Sequence, residues 1–147
     1  MAQLLTYELA TLVGRTFPAV RATITEDGVR RYCRAIGRRW DGTVPWSFLA
    51  HLGADQAVDT GCSDGLAGRP QLPPLPLPAE RRILTGVAWE FGRRPQLGET
   101  LVLQARLASL EQREGRRGPV LLSIVEVTYT DLHGEWVATQ RSTCVHR

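Results

Sequence analysis

The chain has 147 residues, 43% of them hydrophobic, with eighteen basic and fifteen acidic side chains and a net charge of +3. That length suits a single domain, residues 1–147, around one core of ordinary size, and no run of about 18 apolar residues marks a membrane span. Every basic residue is Arg, and the arginines are scattered without the interleaved aromatic residues that a base-stacking groove needs, so nucleic acid is not an expected partner.

The first residues carry no basic flank and no small-residue cleavage site, which makes a soluble, cytoplasmic protein the expectation. Cys33, Cys62 and Cys144 are odd in number and far apart, with no C-x-x-C spacing. They read as core or loop residues in a reducing compartment, and no metal site or cofactor is expected.

In chain order, residues 19–24 read as a brief strand. Thr25 is a suitable N-cap for a following helix, with Glu26 and Asp27 in the first turn, where carboxylates favour the helix dipole. Val29, Tyr32, Cys33 and Ile36 recur at i, i+3, i+4 and i+7, which predicts an amphipathic helix that Gly37 ends. Pro45 opens a second helix over residues 47–58, apolar or small on nearly every face and therefore buried. Residues 61–80 are rich in Gly and then Pro, with Pro70, Pro73, Pro74, Pro76 and Pro78 blocking helix and central strand alike, so a flap or covering loop is expected.

From residue 82 the chain reads as strands. Residues 82–91 form one, a turn follows at Arg94–Glu99, and Leu101, Leu103, Ala105 and Leu107 alternate with polar partners. Residues 111–118 read as a charged loop with Arg116 and Arg117 at its tip, residues 120–130 as a β-branched strand, and Asp131-Leu132-His133-Gly134 as a turn into the last strand. A buried helix and a long antiparallel sheet predict an α+β domain with the sheet wrapped around the helix.

Particular segments carry a resemblance. The strand Arg82–Phe91, the turn Arg94-Pro95-Gln96-Leu97-Gly98-Glu99 and the closing Gly134-Glu135-Trp136-Val137-Ala138-Thr139-Gln140-Arg141-Ser142-Thr143 resemble the first-half, N-terminal-type domain of MaoC-like dehydratases and hydratases. Val13-Gly14-Arg15 is similar to that family's first strand, residues 29–37 to its "RRYAxAIG" helix, and Val44-Pro45-Trp46-Ser47-Phe48 to the "APPTF" that opens its central helix. The resemblance implies a hot-dog fold, and an acyl-carrier-protein or coenzyme A thioester substrate that loses water reversibly from its 3-hydroxyacyl group. It also implies a homodimer or a heterodimer with a second hot-dog subunit, in polyketide or fatty-acid-like biosynthesis.

The chain departs from the family where the chemistry sits. Catalytic members carry "GD-x-NP-x-H", whereas here the matching stretch is Gly37-Arg38-Arg39-Trp40-Asp41-Gly42, without the His and with the Asp displaced. The central helix instead holds His51 and Asp55, four residues apart and so on one face. By position, His51 falls where the related fatty-acid-synthase dehydratases place a helix carboxylate and Asp55 where they often place Gln or His, which makes His51 the candidate base and Asp55 its partner. Asp41 is a candidate replacement acid, although Trp-Asp-Gly is first of all a turn. Pro45, Trp46, Arg38, Arg39 and Trp89 are candidate substrate-binding residues: a backbone N–H at the Pro45-Trp46 helix opening for the thioester oxygen, two arginines for phosphate, and tryptophans as an acyl wall. Three functions compete: a dehydratase, a non-catalytic acyl-binding subunit of a heterodimeric dehydratase, and a hot-dog thioesterase.

Overall fold

The structure, a computed structural model, describes residues 3–52 and 81–147. Helix α1 (Tyr7–Ala10) and strand β1 (Val20–Thr23) lead into helix α2 (Glu26–Ala35) and a short 3-10 helix (Trp46–Ala50). Strands β2 (Arg82–Phe91), β3 (Thr100–Gly115), β4 (Gly118–Thr130) and β5 (Trp136–His146) follow. The five strands form one antiparallel sheet in the order β1-β3-β4-β5-β2, the α+β architecture expected.

Helix α2 begins where its cap predicts: the Thr25 hydroxyl accepts from the Gly28 N–H at 3.1 Å, and Glu26 pairs with Arg30 one turn later. It ends where Gly37 takes φ of 70° and the Arg38 N–H reaches the Cys33 carbonyl at 2.8 Å. Val29 and Cys33 are buried on the sheet side. Ile36 departs from the expected apolar face: it is the C-cap, beyond the last packed turn, and remains 51% exposed.

Alternation assigns the faces of the sheet. Leu101, Leu103, Ala105 and Leu107 of β3 are buried beside Val125, Val127 and Tyr129 of β4, and α2 and the 3-10 helix pack on that inner face through Val29, Phe48, Leu49 and Leu52. Each fully buried Leu contributes about 1.5–3 kcal/mol relative to exposure. A smaller cluster of Leu9, Leu110 and Leu121 closes the other end.

Two local expectations need correction. The charged segment from Glu111 is not a loop: β3 continues to Gly115, with Glu111 opposite Leu122 and Arg113 opposite Val120. Its charges alternate onto the solvent side, so polarity there marks an exposed strand end, and only Arg116-Arg117 forms the turn between Gly115 and Gly118. Val13-Gly14-Arg15 is a turn rather than a strand. It touches the sheet through the Gly14 N–H on the Leu107 carbonyl and the Leu107 N–H on the Arg15 carbonyl, and an isolated bridge pairs Thr16 with Arg106. Residues 53–58, the rest of the expected second helix, and the Pro-rich segment 61–80, like Asp55 and Cys62, lie outside the described residues. No described helix is long and apolar enough to cross a membrane.

Candidate functional site

The 3-10 helix organises the candidate site. Pro45, buried at its N-cap, supplies the carbonyl that the Phe48 N–H reaches at 3.0 Å, and as a proline it has no side-chain acceptor to cap the first turn. The Tyr129 hydroxyl donates to the Leu49 carbonyl at 3.2 Å, which ties this turn to β4. His51 forms its C-cap and is exposed.

Two side-chain groups flank the turn. On the α2 side the His51 ring lies 5.7 Å from Tyr32 and 6.3 Å from Phe48, and the Tyr32 hydroxyl donates to Ser47 at 2.7 Å. His51 opens onto a cleft of about 360 Å³ lined by Gly28, Arg31, Tyr32, Ala35 and Ile36. Its expected partner Asp55 lies outside the described residues.

On the β2 side the half-buried Trp46 lies 4.8 Å from Phe91, Phe91 stacks on Trp89 at 5.3 Å, and Trp89 meets Tyr129 at 5.5 Å. Trp46 and Trp89 thus meet through Phe91 in one aromatic group. Among the described residues no ring contact or hydrogen bond joins them to His51. Arg94 completes this side: its guanidinium lies 5.2 Å from the Trp46 ring centre and donates to the Thr43 hydroxyl at 3.3 Å, beside a cleft of about 410 Å³. The sequence marked Arg94 only as part of a turn, because its stacking partner lies 48 residues away.

Arg38 and Arg39 stand apart from both groups. Both are exposed, and Arg38 pairs with Asp41 at 3.5 Å and lines a separate cleft of about 230 Å³ with Arg30, Arg34 and Trp40. Asp41 is a turn residue that accepts from the Thr43 hydroxyl at 2.6 Å and the Thr43 N–H at 2.9 Å. Those bonds, the hydroxyl first, hold its carboxyl below the usual range, which suits a structural carboxylate better than a proton donor.

His146, one residue from the last in the sequence, carries no local sequence signal. Pairing of β4 with β5 brings it within 2.7 Å of the Ser123 hydroxyl, both residues almost wholly buried. Burial, and then the charge of Arg82, pushes its pKa down, so it is a neutral imidazole near pH 7. No cluster of three His, Cys, Asp or Glu side chains suited to a metal occurs among the described residues.

The family model of the FAS1-like dehydratase domain region matches residues 11–140. The chain belongs to this family. Among solved structures, this FAS1-like dehydratase-region domain is similar to a MaoC-like dehydratase, with TM-score 0.69 and 21% identity over 94% of this chain and 43% of that one. It is also similar to the HadBC (3R-hydroxyacyl-ACP dehydratase) complex from Mycobacterium tuberculosis, with TM-score 0.62 and 14% identity over 91% of this chain and 96% of that one. A third is the ChsH1–ChsH2 complex from the same organism, with TM-score 0.67 and 11% identity over 94% of this chain and 90% of that one. No curated protein sequence matches this chain at a significant level. At these identities the structural likeness establishes the fold, a MaoC-like hot dog, and the family model adds its dehydratase type.

Proposed function

We propose that this FAS1-like domain is a dehydratase, or a dehydratase subunit, acting on 3-hydroxyacyl thioesters borne by an acyl-carrier protein or coenzyme A in polyketide or fatty-acid-like biosynthesis. The observation that carries the reading is His51 at the end of the turn that starts the central segment, facing an open cleft in a chain of this family. His51 takes the C2 proton, which the thioester acidifies, with Asp55 as its partner. A backbone N–H at the Pro45-Trp46 opening holds the oxygen that gains charge. The C3–O bond then breaks, the imidazolium returns the proton to the departing hydroxyl, and water leaves with the double bond formed.

Trp46 and Trp89 serve as the acyl wall, and Arg38 and Arg39 as phosphate contacts of the carrier arm. The test is mass spectrometry of a 3-hydroxyacyl-carrier thioester incubated with the purified chain and with His51→Ala. Loss of water with wild type, and a rate at least about 100-fold lower in the variant, is expected for a general base. Full activity in His51→Ala overturns the residue assignment, and release of free acid instead of the enoyl product indicates a thioesterase.

A second reading, a non-catalytic acyl-binding subunit, is favoured by the stretch that matches the family's catalytic motif, where Asp41 is held by Thr43 and Arg38 in a turn. The exposed edge of β2, with Leu84 and Val87 each 42% exposed, gives a second hot-dog subunit a strand to pair with. Dehydration that appears only when a subunit carrying the intact motif is added supports this reading; an active homodimer refutes it.

A further inference from the structure

The cleft of about 410 Å³ between residues 42–44 and residues 94–97 runs up to the opening of the 3-10 helix, because Val44, which lines it, directly precedes the N-cap Pro45. Its lining is mixed. Val44 and Pro95 are buried and Leu97 half-buried, whereas Thr43, Arg94 and Gln96 are exposed. A cleft with an apolar part and a few polar groups set into it is the form a small organic ligand requires.

Among the described residues that line it, only Arg94 is charged, and its guanidinium is held from two sides. It lies 5.2 Å from the Trp46 ring centre, and Nη1 donates to the Thr43 hydroxyl at 3.3 Å. That hydroxyl donates in turn to Asp41 at 2.6 Å, so the displaced Asp of the family motif anchors an arginine through Thr43. Asp41 itself pairs with Arg38, and Glu99 at the end of the turn is bound by Arg93. No carboxylate among the described residues pairs with Arg94. The result is an oriented fork of donors with N–H groups left for an oxygen that a ligand brings.

We propose that this cleft holds the sulfur-side arm of the acyl thioester and that Arg94 donates to an amide carbonyl of that arm. This rests on the acyl-thioester reading of the function and gives the arm a site. With the thioester oxygen at the Pro45-Trp46 opening and the acyl chain along Trp46 and Trp89, the arm continues past Val44 into the cleft. The arm is common to coenzyme A and acyl-carrier protein, and it alternates methylene groups with amides. Val44, Pro95 and Leu97 suit the methylenes, and Thr43, Gln96 and Arg94 the amides. The volume is far more than a lone anion needs. The loop that carries Thr43 also carries Arg38, the phosphate contact of the arm's far end, and Asp41 bonds both.

The test is equilibrium binding of one saturated acyl group, carried on pantetheine, N-acetylcysteamine or propanethiol, to the full chain and to Arg94→Met. Methionine keeps an unbranched stem beside Trp46 and removes the donors. The variant is expected to bind the pantetheine thioester about tenfold more weakly, the size of one hydrogen bond from a charged donor, and the propyl thioester as wild type does. N-acetylcysteamine keeps only the amide nearest the sulfur, so a loss there assigns the contact to that amide, and no loss assigns it to the outer one. Thr43→Val, which releases the guanidinium from its anchor, is expected to give the same pattern at smaller size. Coenzyme A and carrier-bound thioesters share the arm, so Arg94→Met should weaken both; a loss confined to one places Arg94 on the nucleotide or on the carrier protein and overturns the proposal. Equal losses on all three thiols make Arg94 a support for Trp46 and overturn it too, as does unchanged affinity throughout. Those outcomes leave the acyl-thioester reading standing, whereas failure of wild type to bind any thioester overturns that reading together with the proposal.

Discussion

At the residue scale, the best-defined polar contact is the one Arg93 makes with two carboxylates. It donates to Glu99 through both terminal nitrogens and to Asp131 at 3.2 Å. The Arg93 bonds hold the Glu99 carboxyl below its ordinary range, against the desolvation that would raise it, and the Gln96 N–H adds a contact at 3.0 Å. Replacing Glu99 with Gln keeps the shape and removes the charge. Glu99→Gln is expected to cost about 1–2 kcal/mol, read as a lower urea midpoint at unchanged slope. Arg93→Lys should lower stability too, because an ammonium cannot match the planar fork. The sequence marked both ends of this contact as turns, through Arg94–Glu99 and Asp131–Gly134, but not the contact itself. Arg93 and Asp131 are 38 residues apart, and only the fold brings them together.

At the element scale, β2 is the strand whose environment least matches its composition. It pairs with β5 on one side, and its other edge borders no described strand. Ile83, Leu84, Val87 and Phe91 are each 39–46% exposed, which is unusual for four large apolar residues of one strand in an isolated subunit. A hot-dog chain with such an edge is expected to associate through it, with its own copy or with a second hot-dog subunit. A charge at its middle should oppose that: Val87→Lys is expected to weaken association at least about tenfold, roughly 1.4 kcal/mol, in sedimentation equilibrium while the circular dichroism stays unchanged. Association as tight as wild type would show that β2 is not the interface. The position of β2 was legible in the sequence, because residues 82–91 are bounded by turn signals and rich in β-branched and aromatic side chains. The end of β3 was not, since an exposed strand tip and a charged loop share one composition, and only the pairing of Arg113 with Val120 separates them.

At the scale of the whole molecule, the sequence disclosed the α+β architecture and the order of its elements, because alternation and breakers are local signals. It did not disclose the Ser123–His146 pair. That pair exists because β4 and β5 align Leu121 with His146 and Ser123 with Cys144, and register is a property of two strands together. The pair has a consequence for the pH dependence of the fold. His146 has a folded pKa below its unfolded value of about 6.5, with desolvation the first cause and Arg82, its register partner on β2, the second. The unfolded chain therefore takes up a proton that the folded chain refuses, so stability is full above about pH 6.5 and declines as pH falls below it. Glu99, Glu126 and Asp131 also have lowered folded pKa values. Arg93 is the first cause for Glu99 and Arg141 for Glu126, while at Asp131 desolvation is the largest single cause and raises the pKa, and the N–H groups of Glu135 and His133, the Arg93 bond and the nearby His133 charge together bring it down. Their contribution is present above about pH 4.5 and is lost as pH falls through the folded values. The urea midpoint is therefore expected to show a plateau near neutrality, a first decline beginning below about pH 6.5 and a steeper one below about pH 4.5. His146→Phe separates the two, because it removes the only imidazole among these groups. A variant that keeps the acid step and loses the first decline assigns that decline to the buried imidazole; one that keeps both steps shows that His146 is not its source.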